Sequence, residues 1–224
     1  MKRLLTIFTF LAAITLQAQK PIEKAIGDFK ELKVYDLIEV ELFKSNENKV
    51  LITGDNTENV LLYNKNGTLK IKMKLAEIFD GNNTKVKLYY KSIEVIDANE
   101  GVKIHSKDEI KQFEIDLRSQ EGGSIHVNLN VNYANIKAVT GGVVEASGIA
   151  KKQSVSLLTG GVFKGEFLKS ENSEVTINAG GEAYVNVSEV VDVKTRAGGD
   201  VYVFGDPEII NENKVLGGRV KRMQ

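Results

Sequence analysis

Apolar and polar positions alternate along the second half of the chain, and the alternation restarts about every 19 residues. Ile125, Val144, Phe163, Ala183, Val201 and Val220 share one repeating apolar position. Two residues further on come Val127, Ala146, Gly165, Val185 and Val203. Between them lie His126, Glu145, Lys164, Tyr184 and Tyr202, which are polar or amphipathic. A period of two is that of a half-buried strand, whose successive side chains point to opposite faces. Leu117, Ile136, Val155, Val175 and Val193 mark a second strand in each unit. The two stretches are joined by glycine pairs: Gly122-Gly123, Gly141-Gly142, Gly160-Gly161, Gly180-Gly181, Gly198-Gly199 and Gly217-Gly218. Their first members are 19, 19, 20, 18 and 19 residues apart.

Two or three short strands per unit cannot bury an apolar side alone. Successive units can, if they coil so that like positions stack about 4.8 Å apart. The predicted fold is therefore all-β: a single-stranded parallel β-helix, or β-solenoid, with coils of about 19 residues. Glycine suits the bends because stacked corners crowd side chains and demand positive φ. Gly101, with Ile96 before it and Ile104 after it, extends the pattern one coil back, with 21 residues to Gly122. Between residues 28 and 95 the register is less regular. Alternation persists in Leu32-Val34, Ile38-Val40-Leu42, Val50-Ile52, Leu69-Ile71-Met73 and Val86-Leu88-Tyr90, separated by turn signals such as Gly54-Asp55-Asn56. This segment is read as irregular coils of the same solenoid, with a separate small β-layer as the alternative. A short helix near Ile22 to Ile26 is expected to cap the first coil, since an open end is an aggregating edge.

The chain accordingly divides into a signal peptide at 1–18, a linker or cap at 19–27, and a solenoid at 28–224. The solenoid has irregular coils at 28–95 and regular Gly-Gly coils at 96–224. Lys2 and Arg3 precede the apolar run Leu4 to Leu16, which is too short to span a bilayer, and Ala18 offers a cut before Gln19. No later apolar run approaches twenty residues, so no other transmembrane span is expected. Lys+Arg and Asp+Glu both number 30, a formal net charge of zero, and tryptophan is absent. A nucleic-acid partner has no support in such a balance. The cluster Arg219, Lys221 and Arg222 reads as a solvated chain end. Cysteine is absent, which removes disulfides, thiolate metal sites, cysteine nucleophiles and a lipid-modified cysteine. The expected location is exported, periplasmic or at the cell surface, and not as a lipoprotein. No cofactor is expected, and no catalytic motif is found. Asn82-Asn83-Thr84 and Asn186-Val187-Ser188 match the glycosylation sequon but follow a bacterial-type leader.

Three stretches and the bends together carry a resemblance. They are Phe29 to Leu42, Val50 to Asn56 and Asn66 to Met73, followed by Lys91 to Ile96 and the repeated Thr/Ala-Gly-Gly corners. The combination resembles the putative auto-transporter adhesin head GIN domain family, DUF2807, over roughly residues 26–221. That resemblance implies a right-handed β-helix, export, and a link to adhesion. It brings no catalytic motif. The chain is too short to hold a twelve-strand translocator barrel as well.

Numbering each coil from its glycines aligns candidate side chains on adjacent coils. Directly after the pairs come Ser124, Val143, Val162, Glu182, Asp200 and Arg219. Glu182 and Asp200 are thus expected neighbours, with Arg219 beside Asp200. They form the best acid pair for glycan chemistry, which needs paired carboxylates, and otherwise a solvated charge ladder. His105, His126 and Glu145 share another column. Two imidazoles and a carboxylate could bind zinc or iron, but a linear row suits a tetrahedral site poorly. That column continues with Lys164, Tyr184 and Tyr202, a candidate contact for carbohydrate or protein, or else an aromatic pair that stabilises the sheet. Tyr89-Tyr90 adds aromatic area with one ring expected in the core. The sequence reading is a non-enzymatic exported solenoid of adhesin-like kind, presenting a rigid ladder surface to a glycan or an envelope protein. Its alternatives are a carbohydrate-active enzyme and a self-assembling envelope component whose coil ends stack into homo-oligomers.

Overall fold

A computed structural model describes residues 21–223; the expected leader at 1–18 lies outside these residues. Sixteen strands are found among them. They are β1 (Ile22–Ala25), β2 (Glu31–Val34), β3 (Glu39–Lys44), β4 (Lys49–Gly54), β5 (Val60–Lys65), β6 (Thr68–Met73), β7 (Thr84–Tyr90) and β8 (Val95–Ala98). The rest are β9 (Lys103–Gln120), β10 (Ser124–Val139), β11 (Val143–Leu158), β12 (Gly161–Asn178), β13 (Gly181–Arg196), β14 (Asp200–Phe204), β15 (Ile209–Val215) and β16 (Arg219–Arg222). Coils of about 19 residues stack in parallel to form a β-solenoid of about seven turns. No described helix is long and apolar enough to cross a membrane.

From β8 onward, stacking follows chain order. Ile125 pairs with Ile104 and Val144, and Val144 with Phe163. These inward columns are closed to solvent and fuse into one continuous core. Each corner is built by three residues. Thr140 and Gly141 have φ of 50° and 70°, two successive left-handed residues, as in a primed turn. A methyl group at Gly141 would meet nothing within 4 Å, so that glycine answers only the demand on φ. A methyl at Gly142 would lie 2.2 Å from the Ser119 carbonyl oxygen of the coil below. The two glycines of this pair thus serve different ends, one conformational and one steric; at Gly181, Gly199 and Gly218 the second glycine meets both demands, with φ of 138°, 119° and 114°.

Before β8 the stacking order departs from chain order, against the expectation that successive units stack successively. β2 lies between β6 and β8, and β3 between β7 and β9, all parallel. The coil formed by β6 and β7 is therefore inserted outside the coil formed by β2 and β3. Beyond it the chain runs backward: β4 is antiparallel to β7 and β5 to β6. Asn66 (φ 52°) and Gly67 (φ 77°) make the two-residue turn that reverses β5 into β6. Val50 and Ile52 of β4 are fully buried, so the reversed coil is a true layer of the core.

The helix expected near Ile22 to Ile26 is instead the strand β1, antiparallel to β4 with Ile22 opposite Ile52 and Ala25 opposite Lys49. Ile22 and Ile26 are four apart, which is one face of a helix but equally one face of a strand. The unpaired backbone of β4 decides in favour of the strand, because it satisfies donors and acceptors that a helix would leave open. Both isoleucines pack against the core as partly buried residues.

The other end closes differently. β15 lies on β13, with Ile210 on Val191, Glu212 on Val193 and Lys214 on Thr195. Val191, Val193 and Thr195 are core positions. The last coil therefore places a carboxylate and an ammonium on core columns, 2.5 Å apart as an ion pair. Arg222 likewise follows Val203 and reaches Asp206 at 3.3 Å.

Candidate contact face

The face that begins after each glycine pair carries straight outward columns, because parallel register holds like positions at one sheet spacing. One column reads Glu41, His105, His126, Glu145, Lys164, Tyr184, Tyr202 and Lys221 in stacking order. A second reads Ser124, Val143, Val162, Glu182, Asp200 and Arg219. The alignment by glycines and the structural register coincide from His105 to Tyr202 in the first column and from Ser124 to Arg219 in the second; Glu41 and Lys221 are added by the structure.

The histidines stand side by side but turn apart. His105 Nε2 is 3.6 Å from Glu41 Oε1, and His126 Nδ1 is 3.2 Å from Glu145 Oε1. Each imidazole faces its own carboxylate, so the three residues His105, His126 and Glu145 do not converge on one point. Among the described residues no group of three or more His, Cys, Asp or Glu side chains is arranged to hold a metal ion.

Tyr184 and Tyr202 stack with ring centroids 4.6 Å apart and planes 9° apart. Lys221 Nζ lies 5.0 Å from the Tyr202 centroid, a cation–π contact. The stacked faces are spent on one another and on lysine, and Lys164 is the next residue in register beside Tyr184. What the pair offers outward is ring edges and hydroxyls. The Tyr184 hydroxyl donates to Glu182 Oε2 at 2.9 Å. That bond pushes its pKa up to about 12, with desolvation and the nearby charge adding to it. Arg219 donates Nε to Asp200 Oδ1 at 2.8 Å and Nη2 to Asp200 Oδ2, a bidentate fork. The guanidinium holds the Asp200 carboxyl below the usual carboxylate range, and Asp200 raises Arg219 in return. Gly160, Gly181 and Gly199 floor a depression of about 390 Å³ whose sides are Val162, Glu182, Asp200 and Arg219. A methyl at Gly160 would meet nothing within 4 Å, whereas one at Gly199 would strike the buried Ile177, so that glycine is required by packing beneath the depression.

Tyr89 and Tyr90 divide as alternation requires. Tyr90 is buried, and burial chiefly pushes its hydroxyl up to about 12. Tyr89 faces outward and stacks on Phe43 at 5.1 Å.

A second concavity escaped the sequence reading. Tyr35, Asp36 and Glu100 line a cavity of about 330 Å³ with Met73, Leu75 and Ile78. Asp36 is buried and accepts a bond from the Met73 N–H at 2.9 Å. Burial first, and Asp36 next, raise the Glu100 carboxyl above its ordinary value. Asp36 (φ 64°) and Leu37 (φ 61°) form a corner equivalent to Thr140-Gly141, but without glycine. The signal that could have found it is Asp at a strand break, since aspartate tolerates the left-handed region.

Fold and face define a class: a long, nearly all-β solenoid that displays rigid side-chain ladders around a continuous core. The chain belongs to the family described as "putative auto-transporter adhesin, head GIN domain" (DUF2807), whose profile matches residues 28–207. Among proteins with curated functions, none matches. Similar solved structures include a "putative adhesin" from Bacteroides fragilis NCTC 9343, 18% identical, covering 92% of this chain and 98% of that one, with a TM-score of 0.83. A "putative lipid binding protein" from Parabacteroides distasonis ATCC 8503 is 17% identical over 92% of this chain and 96% of that one, with a TM-score of 0.70. A "putative adhesin" from Parabacteroides merdae ATCC 43184 is 15% identical with the same coverages, 92% and 96%, and a TM-score of 0.67. At such identities the likeness is one of fold.

Proposed function

We propose that the protein is a non-enzymatic, exported interaction module of adhesin-like kind, and that it contacts a glycan through the face formed by β12, β13, β14 and β16. The single observation that carries this reading is the glycine-floored depression beside the tyrosine ladder. Its volume, about 390 Å³, is in the range of small-ligand sites. Its walls supply carboxylate acceptors (Glu182 and Asp200) and a guanidinium donor (Arg219) held by Asp200, polar groups that suit sugar hydroxyls. The family assignment and the adhesins among the similar structures support the same role.

The enzymatic reading draws less support from the same residues. Glycosidic chemistry needs one carboxyl kept protonated near neutral pH. Asp200 is displaced in the opposite direction by Arg219, and Glu182 is already engaged by Tyr184. End-to-end assembly is opposed by Glu212, Lys214 and Arg222 on core columns of the last coil. The test is a glycan array probed with the chain lacking residues 1–18, followed by product analysis of any glycan retained. Retention without cleavage is expected; cleavage, or an array without a single retained glycan, would sink the proposal.

A further inference from the structure

The opposite end of the solenoid carries a surface of different chemistry. Antiparallel register sets Tyr63 opposite Lys70, Leu61 opposite Lys72, and Lys65 opposite Thr68 on the outward side of β5 and β6. Lys70 continues onto Lys33 of β2. Lys72 Nζ lies 5.6 Å from the Tyr63 ring centroid, and Lys74 donates to Asn59 Oδ1. Among the described residues, the ion pairs involve none of Lys65, Lys70, Lys72 and Lys74. Residues 60–74 hold four lysines and no carboxylate, in a molecule that is neutral overall.

The loop from β6 to β7 adds apolar tips beside these lysines. Leu75 is 85% exposed, Phe79 57% and Ile78 42%. One exposed leucine is ordinary; three large exposed apolar side chains within five residues, directly after Lys72 and Lys74, are not. Two adjoining grooves share Lys70 and Lys72. One, of about 330 Å³, is bounded by Leu75 and Ile78 and by Asp36 and Glu100 as well, and the other, of about 910 Å³, by Tyr63 and Lys65 with no carboxylate.

We propose that this end docks on an anionic lipid surface, with Leu75, Ile78 and Phe79 entering the interface and Lys65, Lys70, Lys72 and Lys74 meeting lipid phosphates. Protruding apolar tips gain by leaving water at the headgroup–acyl boundary, where Tyr63 also suits the polar–apolar transition. Lysines close to an anionic bilayer add an attraction that falls with salt. A soluble polyanion would engage the lysines but leave the apolar tips in water. Seven sheet spacings separate β6 from β13, so the glycine-floored depression sits roughly 35 Å from this end. The inference does not depend on what the depression binds.

The experiment is co-sedimentation of the chain lacking residues 1–18 with vesicles of equal parts phosphatidylcholine and phosphatidylglycerol, against phosphatidylcholine alone. Binding to the anionic vesicles is expected, weakening as salt rises. K70Q/K72Q should bind about thirty-fold more weakly. L75S/F79S should also lose binding; both side chains are exposed, and circular dichroism checks that the fold is kept. E182A/Y184A should bind vesicles as the wild type does. Equal binding to neutral and anionic vesicles, or wild-type binding by both end variants, would overturn the proposal. So would capture of inorganic polyphosphate by the same lysines with no vesicle binding.

Discussion

The two ends of the stack face the same hazard, a row of unpaired backbone groups, and deal with it by different means. At the N-terminal end the chain reverses direction, lays β4 and β5 antiparallel on the outermost coil, and covers β4 with the four-residue edge β1, leaving β5 as the other edge. That closure is built from backbone pairing and buried aliphatic side chains. At the C-terminal end no reversal occurs among the described residues, and β15 and β16 remain parallel edges. Closure there comes from side chains: Glu212, Lys214 and Arg222 stand where the coil below has Val193, Thr195 and Val203. Inward charge on an edge discourages another strand from adding, because pairing would bury it. One end is finished by topology at a cost of many residues, the other by three substitutions in a repeating pattern.

The difference can be broken or sharpened by mutation. The interior sets the upper reference. Gly142→Ala drives a methyl into the Ser119 carbonyl of the neighbouring coil and should cost about 3 kcal/mol or more. Gly141→Ala, with open space around it but a left-handed φ, should cost only about 1–2 kcal/mol. Urea denaturation of the two variants measures the gap, and equal losses would refute the division of roles within a pair. Next come the ends themselves. Ile52→Ala removes a fully buried side chain from the reversed coil and should cost about 2–5 kcal/mol. Ile210→Ala, on a partly buried residue of the last coil, should cost about 1 kcal/mol. If both cost the same, the C-terminal end is a packed core rather than a charged lid.

Replacing the lid is predicted to change assembly more than stability. Glu212→Val with Lys214→Val removes a solvent-exposed pair worth no more than about 1 kcal/mol. The variant should form multimers by light scattering while the wild type stays monomeric. A variant that remains monomeric at high concentration would show that the charges are not what closes this end.

The smallest effects are protonic and lie on the contact face. Tyr184 has its pKa raised, so its bond to Glu182 contributes below the ordinary tyrosine value, about 10, and is lost as pH rises through about 12. Asp200 has the opposite sign. Its pairing with Arg219 contributes above the ordinary carboxylate value, about 3.9, and is lost as pH falls through the lowered one. Ultraviolet titration should find one tyrosine ionising closer to 10 in Glu182→Gln than in the wild type; an unchanged curve would remove Glu182 as the cause.

The regular coils were legible in the sequence because each glycine pair fixes a coordinate. From it, Glu182 falls beside Asp200, Asp200 beside Arg219, and Tyr184 beside Tyr202. What that coordinate lacks is side-chain direction: His105 and His126 share a column yet face different carboxylates. The N-terminal third was legible as strands but not as a stack. Alternation has the same period whether a strand pairs parallel or antiparallel, so nothing local in Val50-Leu51-Ile52 says that β4 runs backward. The corner at Asp36-Leu37 carries no glycine to mark it. The C-terminal lid did leave a mark. Five residues before its glycine pair, each regular coil from Leu117 to Val193 has an aliphatic residue, and the last has Glu212. A charge at a core position of a repeat is the sign of a terminal unit.

The most direct test of the contact face is the affinity of a retained glycan for E182A/R219A against that for H126A, measured by titration calorimetry. H126A alters the same ladder outside the depression. Binding is expected to be at least about tenfold weaker in E182A/R219A and unchanged in H126A. Undiminished binding by E182A/R219A, or an equal loss in both variants, would contradict this expectation.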